Sequence, residues 1–246
     1  MTGALLDFEA NLREIELGPG THLDFSGTRL AGGSISFEQA HCFGGSINFS
    51  NAELHSGAAN FDSITLEGGS VTFSNASFDG SSVSFDDAAI NGGTLRFSGA
   101  KFNTGSVSFA GAQFNAGKAY WLSSVFAGSH VSFEDSIFDG TDLSFQGSQF
   151  TGGTVEFDDT QFSAGRVRFH NTTMGGARLS FNGAAFSGAD VRFDKARFDS
   201  GVVDFARSYS RGKKVSFLDA RFGGTLSTDG RVLISAPEIQ ASAADR

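Results

Sequence analysis

Large apolar residues recur along this chain at two offsets of a twelve-residue period, with polar residues between them. One series runs Phe25, Phe37, Phe49, Phe61, Phe73, Phe85, Phe97, Phe109, Trp121, Phe133, Phe145, Phe157, Phe169, Phe181, Phe193, Phe205 and Phe217, which makes 17 repeats. The second lies five residues downstream, from Leu30 through Leu54, Phe78, Phe102, Phe114, Phe126, Phe138, Phe150, Phe162 and Phe186 to Phe222. Of the 28 phenylalanines, only Phe8 and Phe43 fall outside these series. A period this short and regular predicts one supersecondary unit stacked on itself many times.

Written from its small residue, the unit is [A/S/T]-x-F-x-G-G-x-V-x-F-x-x, as in residues 100–111. Side chains reverse face at each step of a strand, so this alternation predicts two short strands, one turning Ala and Phe inward and the other Val and Phe. Ser144, between Leu143 and Phe145, points outward. The x-G-G-x and x-x segments are corners, and glycine permits sharp bends there. Stacking copies about 4.8 Å apart lays each aromatic ring over the next and builds a continuous core. Its central columns comprise Phe97, Phe102, Phe109, Phe114, Trp121, Phe126, Phe133, Phe138, Phe145, Phe150, Phe157 and Phe162. Trp121 follows Ala119 where other repeats have Val, so a larger ring is offset by a smaller neighbour. Two places strain the pattern: Ser210 replaces Phe beside Tyr209, and in His41-Cys42-Phe43 the phenylalanine would face solvent.

The chain resembles pentapeptide-repeat proteins in segments such as Ala52-Glu53-Leu54, Ala189-Asp190-Val191 and Thr141-Asp142-Leu143, and in the pentads at 112–116 and 196–200. The likeness spans about residues 23–222, although half of each unit has seven residues instead of five. It implies an all-β, right-handed parallel β-helix with four sides.

Two coil sizes fit the period. One repeat per coil would make a two-sided ribbon about 80 Å long; two would make a four-sided coil of 24 residues and a rod about 40 Å long. Basic residues at strand centres favour the second, because Arg29, Arg96, Lys101, Arg168, Arg192, Arg197 and Arg221 all occupy the same alternate set of repeats. Lys118, Arg166 and Lys214, read as corner residues, agree with that phase, while Arg178 does not. Three segments are expected: an irregular N-terminal cap at 1–22, where Gly18-Pro19-Gly20 breaks the spacing, the solenoid at 23–222, and a closing strand at 231–234 with a loose tail within 223–246.

Charge changes the picture more than composition does. The net charge is −9, and acids dominate residues 1–95 while basic residues dominate 166–246. Along one edge, Arg96, Lys101, Arg168, Arg192, Arg197 and Arg221 form a candidate interaction stripe. The five histidines suggest no metal site, pairs such as Asp86-Asp87 read as solvated corners, and no phosphate-binding loop is present. No catalytic residue, cofactor or metal is expected. A single cysteine, no basic leader and no long apolar run place the chain in the cytoplasm, away from membranes. The expected role is a non-catalytic scaffold for a protein partner or for self-association, and direct nucleic-acid binding is not expected. From the family resemblance comes one alternative, imitation of duplex DNA toward a type II topoisomerase such as gyrase. Outward small residues raise another, ice binding, which their mixed size and charge disfavour.

Overall fold

The computed structural model describes residues 2–211 and 215–232. Between the two end coils each strand pairs in parallel with its copy 24 residues away, as in Leu30↔Leu54, Phe78↔Phe102, Phe114↔Phe138 and Val167↔Val191. Residues 5, 29, 53, 77, 101, 125, 149, 173, 197 and 221 therefore stand in one column. Nine steps at the usual strand spacing give a rod about 43 Å tall. Two twelve-residue repeats thus complete one coil.

Each coil has four sides. In the coil of residues 101–120, Lys101–Ser108 and Gln113–Tyr120 are each bent strands, so that 101–102, 106–108, 113–114 and 118–120 form the four faces. The bends at the glycine positions carry register shifts, as between Phe78 and Ser82 against Lys101–Ser108. The other two corners are four-residue turns closed by the small inward residue. Ala76 N–H donates to the Phe73 carbonyl at 3.0 Å, and Ala100 does the same to Phe97 at 3.0 Å. The third residue of every such turn has positive φ, between 54° at Asp159 and 75° at Gly183.

The core consists of four aromatic stacks. The twelve central residues from Phe97 to Phe162 are fully buried. Within a stack, rings lie nearly parallel with centroids from 4.5 Å (Phe169–Phe193) to 5.3 Å (Phe138–Phe162) apart, close to the strand repeat. The two stacks of the longer series meet edge to face, as in Phe133–Phe145 at 6.3 Å and 88°. Ser124 Oγ donates to the Phe97 carbonyl of the coil below at 2.8 Å and Thr160 Oγ1 to that of Phe133 at 2.7 Å, whereas the buried Ser81 and Ser129 hydroxyls find no partner among the described residues. Trp121 is buried above Phe97 with Ala119 beside it, and its indole N–H finds no partner among the described residues.

Both doubtful places keep register. Cys42 pairs with Leu17 and Leu66 and is buried, leaving Phe43 42% exposed, while Ser210 pairs with Phe186 and leaves Tyr209 outside. Ser144 is outward in register but only 3% exposed, between Tyr120 and Arg168 on the flanking coils.

The stretch expected to be an irregular cap is a coil. Leu5–Leu6, Glu9–Asn11, Glu16–Leu17 and His22–Asp24 all pair with the coil above. The offset passes from 24 to 25 after Leu6 and returns to 24 through Gly18-Pro19-Gly20, so a residue missing at one corner is restored at another. At the far end Thr225–Thr228 continues the stack with an offset of 23. Of the expected last strand, Leu233 and Ile234 lie outside the described residues, as do Lys214 and the tail from Ser235.

Candidate interaction edges

Because the coil has 24 residues, the basic stripe resolves into two columns flanking one turn corner. Arg96, Arg168 and Arg192 belong to the column that also holds Thr72, Tyr120 and Ser144; Arg29, Lys101, Arg197 and Arg221 belong to the next face. Arg168 stands directly beneath Arg192, and Arg197 beneath Arg221. Arg96 and Lys101 lie three coils below Arg168. Lys118 and Arg166 are strand residues of the same face, not corner residues as expected.

Most of these cations already have partners. Arg29 approaches Glu53 at 3.8 Å, Arg168 approaches Asp142 at 3.3 Å, and Arg197 approaches Asp199 at 3.2 Å. Arg192 bonds to Asp190 at 2.9 Å with Asp194 at 3.8 Å, and the hydrogen bond and charge of Asp190 push its pKa further up. Arg96 lies over the Tyr120 ring at 5.7 Å. Lys101 and Arg221 make no ion pair among the described residues. Exposed pairs of this kind contribute little to stability, typically ~0.2–1 kcal/mol, and a partner's carboxylates can compete for them.

A second charged edge was not visible in the linear sequence. The corner following the other half of the coil carries Glu38, Asp62, Asp86, Glu134 and Asp158, with Asp87, Asp135 and Asp159 beside them at the left-handed position. Geometry explains much of this composition. Asp62 accepts the Asp86 N–H at 3.0 Å and the Ser84 hydroxyl; Asp86 accepts the Ala110 N–H at 2.9 Å and the Ser108 hydroxyl; Asp158 accepts the Asn182 N–H at 3.0 Å. Each such carboxylate ties its corner to the next coil, and the neighbouring left-handed turn position suits Asp and Asn. This edge lies half a coil, or twelve residues, from the basic one, on the diagonally opposite corner.

A third face, one column of which holds Ser34, Ser82 and Ser106 and the other Ser36, Ser84 and Ser108, is lined by small hydroxyls. His130, Glu156 and Arg178 interrupt it further along.

Nothing among the described residues gathers three metal-ligating side chains. His41 lies near Glu67 at 3.2 Å and His130 near Glu156 at 3.6 Å, while His55 lies between Glu53 at 3.3 Å and Asp79 at 3.6 Å. Burial pushes the Cys42 thiol up to about 11, so its reactive thiolate is suppressed. One open hollow of about 380 Å³ lies near the N-terminal end, lined by residues including Glu9, Arg13, Ser34 and Glu38, with Arg13 bridged to Glu38 at 2.8 Å. No helix among the described residues is long and apolar enough to cross a membrane.

No protein-family profile and no curated protein matches the chain. Among solved structures it is similar to HetL, a pentapeptide repeat protein involved in heterocyst differentiation regulation from the cyanobacterium Nostoc sp. strain PCC 7120. The identity is 14% over 89% of this chain and 84% of that one, with a TM-score of 0.21. The β-solenoid is established by the strand pairing described above.

Proposed function

We propose that this chain is a non-catalytic scaffold, a stiff rod that binds protein partners, further copies of itself among them, through its charged edges. The observation that carries this reading is the segregation of charge onto diagonally opposite corners. An edge-to-edge contact between two copies brings Lys101 and the neighbouring arginines against Asp87, Asp135 and Asp159 of the other. Flat faces of short in-register strands, without inserted loops, suit contact along a line better than enclosure of a small substrate.

Sedimentation at about 50 and 500 mM salt tests this. Association is expected to be strong at the lower concentration and to weaken at the higher one, where screening shortens to a few ångströms. A monomer at both would exclude self-association by this route. The narrower reading drawn from the pentapeptide-repeat resemblance, binding to a type II topoisomerase, relies on the acidic edge alone. Inhibition of gyrase supercoiling by the purified chain supports it; unchanged supercoiling removes it. Ice binding would rely on the serine-lined face, and His130, Glu156 and Arg178 count against it.

A further inference from the structure

Both ends of the rod are unfinished among the described residues. At the N-terminal end, Leu5–Leu6, Glu9–Asn11, Glu16–Leu17 and His22–Asp24 are each paired on one side only. In this coil Leu6 and Leu17 are buried, but the inward Ala10, Leu12, Ile15 and Leu23 are only half-buried, whereas their counterparts one coil up, Ile35, Phe37, Ala40 and Ile47, are fully buried. Leu5 and Phe8 are 55% and 49% exposed at the same end. At the other end, Val232 is buried on the core and the Arg231 carbonyl accepts the Ser210 N–H at 3.3 Å, but Arg221–Phe222 and Thr225–Thr228 pair only with Arg197–Phe205, and Phe222 and Leu226 are half-buried.

Open strand edges around an exposed core are a template for further strands, and folded proteins generally blunt or cover them. Three features identify what fits here. The first is direction: in a parallel stack the N-terminal edge of one rod continues the C-terminal edge of another with the strands running the same way. Leu5 belongs to the column that ends at Arg221, so a second copy's first coil extends the four faces in order. The second is charge, since residues 2–24 hold five acids against one basic residue, while residues 205–232 hold six basic residues against two acids. The third is apolar surface, because the half-buried Leu12, Ile15 and Leu23 at one end would meet the half-buried Phe222 and Leu226 at the other.

We infer that the N-terminal coil docks end-on against the C-terminal coil of a second copy, so that the rods stack head to tail. Such a contact is heterologous and does not close on itself, so it builds filaments whose length rises with concentration. Two N-terminal ends cannot replace it, because both are acidic. This inference uses the rod's ends and does not depend on the edge contact proposed above.

A charge exchange on the full chain tests it. One variant carries Glu9→Arg and Glu16→Arg, which takes the N-terminal end from −4 to 0; the other carries Arg211→Glu and Arg221→Glu, which takes the C-terminal end from +4 to 0, so only a mixture restores an acidic end facing a basic one. All four side chains are exposed, so circular dichroism and melting are expected to stay close to those of the unaltered chain. By analytical ultracentrifugation, each variant alone is expected to associate at least tenfold more weakly than the unaltered chain, and an equimolar mixture to associate more strongly than either. A third variant, Phe8→Ser with Leu5→Ser, is expected to weaken stacking without changing the net charge. Hydrogen exchange on the assembled chain is expected to protect amides of residues 5–24 as concentration rises. The inference is overturned if the unaltered chain shows no concentration-dependent protection there, which includes the case where another segment of the same chain covers that end. It is equally overturned if the mixture associates no better than the separate variants.

Discussion

Phe145 and Phe150 illustrate how each residue of this fold is held by its own copies. Phe145 stacks at 4.8 Å on Phe169, and Phe150 at 4.6 Å on Phe126. Neither cavity could collapse without disturbing strands on both sides, so Phe145→Ala or Phe150→Ala is expected to cost about 3–5 kcal/mol. Ser144→Ala is a sharper case. An exposed serine would cost under about 0.5 kcal/mol on removal, but Ser144 is buried under its neighbours and its Oγ accepts the Gln146 N–H at 3.3 Å. About 0.5–1.5 kcal/mol is expected instead. Urea titration of the three variants measures the order, and equal losses in all three would contradict the assignment of inward and outward positions. Alternation of small and large residues made the inward columns legible in the sequence. The cover over Ser144 was not, because Tyr120 and Arg168 become its neighbours only once the 24-residue coil brings them there.

At the scale of the strand and corner, glycine was the visible signal and only half of the answer. The x-G-G-x bends do require it: Gly105 has φ of 91°, and a Cβ there would collide with the Ser81 carbonyl of the coil below. The F-x-x corner carries no consistent residue, yet its third position is left-handed in every repeat, as glycine at Gly99 and Gly111, as Asn or Asp at Asn75 and Asp135, and even as Lys195 and Arg207. Hydrogen bonding across coils forces that conformation, so the residue type only reduces its cost. The enrichment in Asn and Asp was the available clue. Gly105→Ala is expected to destabilise by more than about 2 kcal/mol through strain and collision. Lys195→Gly, at φ of 57°, is expected to stabilise by up to about 1 kcal/mol. Thermal melts of the two variants measure both signs, and a stabilising Gly105→Ala would contradict the close approach of neighbouring coils. The same forced spacing explains the N-terminal coil, whose sequence looks irregular because its corner residues are redistributed while its strands keep pairing.

For the whole molecule, the linear sequence showed charge drifting from acidic to basic along the rod, and the coil shows it also divided across the rod. Phase decides this second division. The basic residues could be placed on one edge from their spacing, since they sit at strand centres. Their partners could not, because Asp142 and Arg168 are 26 residues apart and meet only through the stack. The acidic edge was hidden for a different reason: its carboxylates occupy turn positions that read as ordinary solvated corners until the corners are aligned. Cross-coil hydrogen bonds account for the presence of Asp62, Asp86 and Asp158, and leave their charge facing solvent along one side of the rod.

The most direct test of the edge-binding account is a charge exchange between the two edges, away from the rod's ends. One variant carries Arg96→Glu and Lys101→Glu; the other carries Asp135→Lys and Asp159→Lys, at turn positions where Lys195 shows that a lysine is accommodated. Sedimentation equilibrium at about 50 mM salt is expected to show each variant associating more weakly than the unaltered chain, and their equimolar mixture regaining association, because exposed opposite charges attract at that screening length. If both variants associate as the unaltered chain does, or the mixture recovers nothing, the charged edges are not where this rod meets its partners.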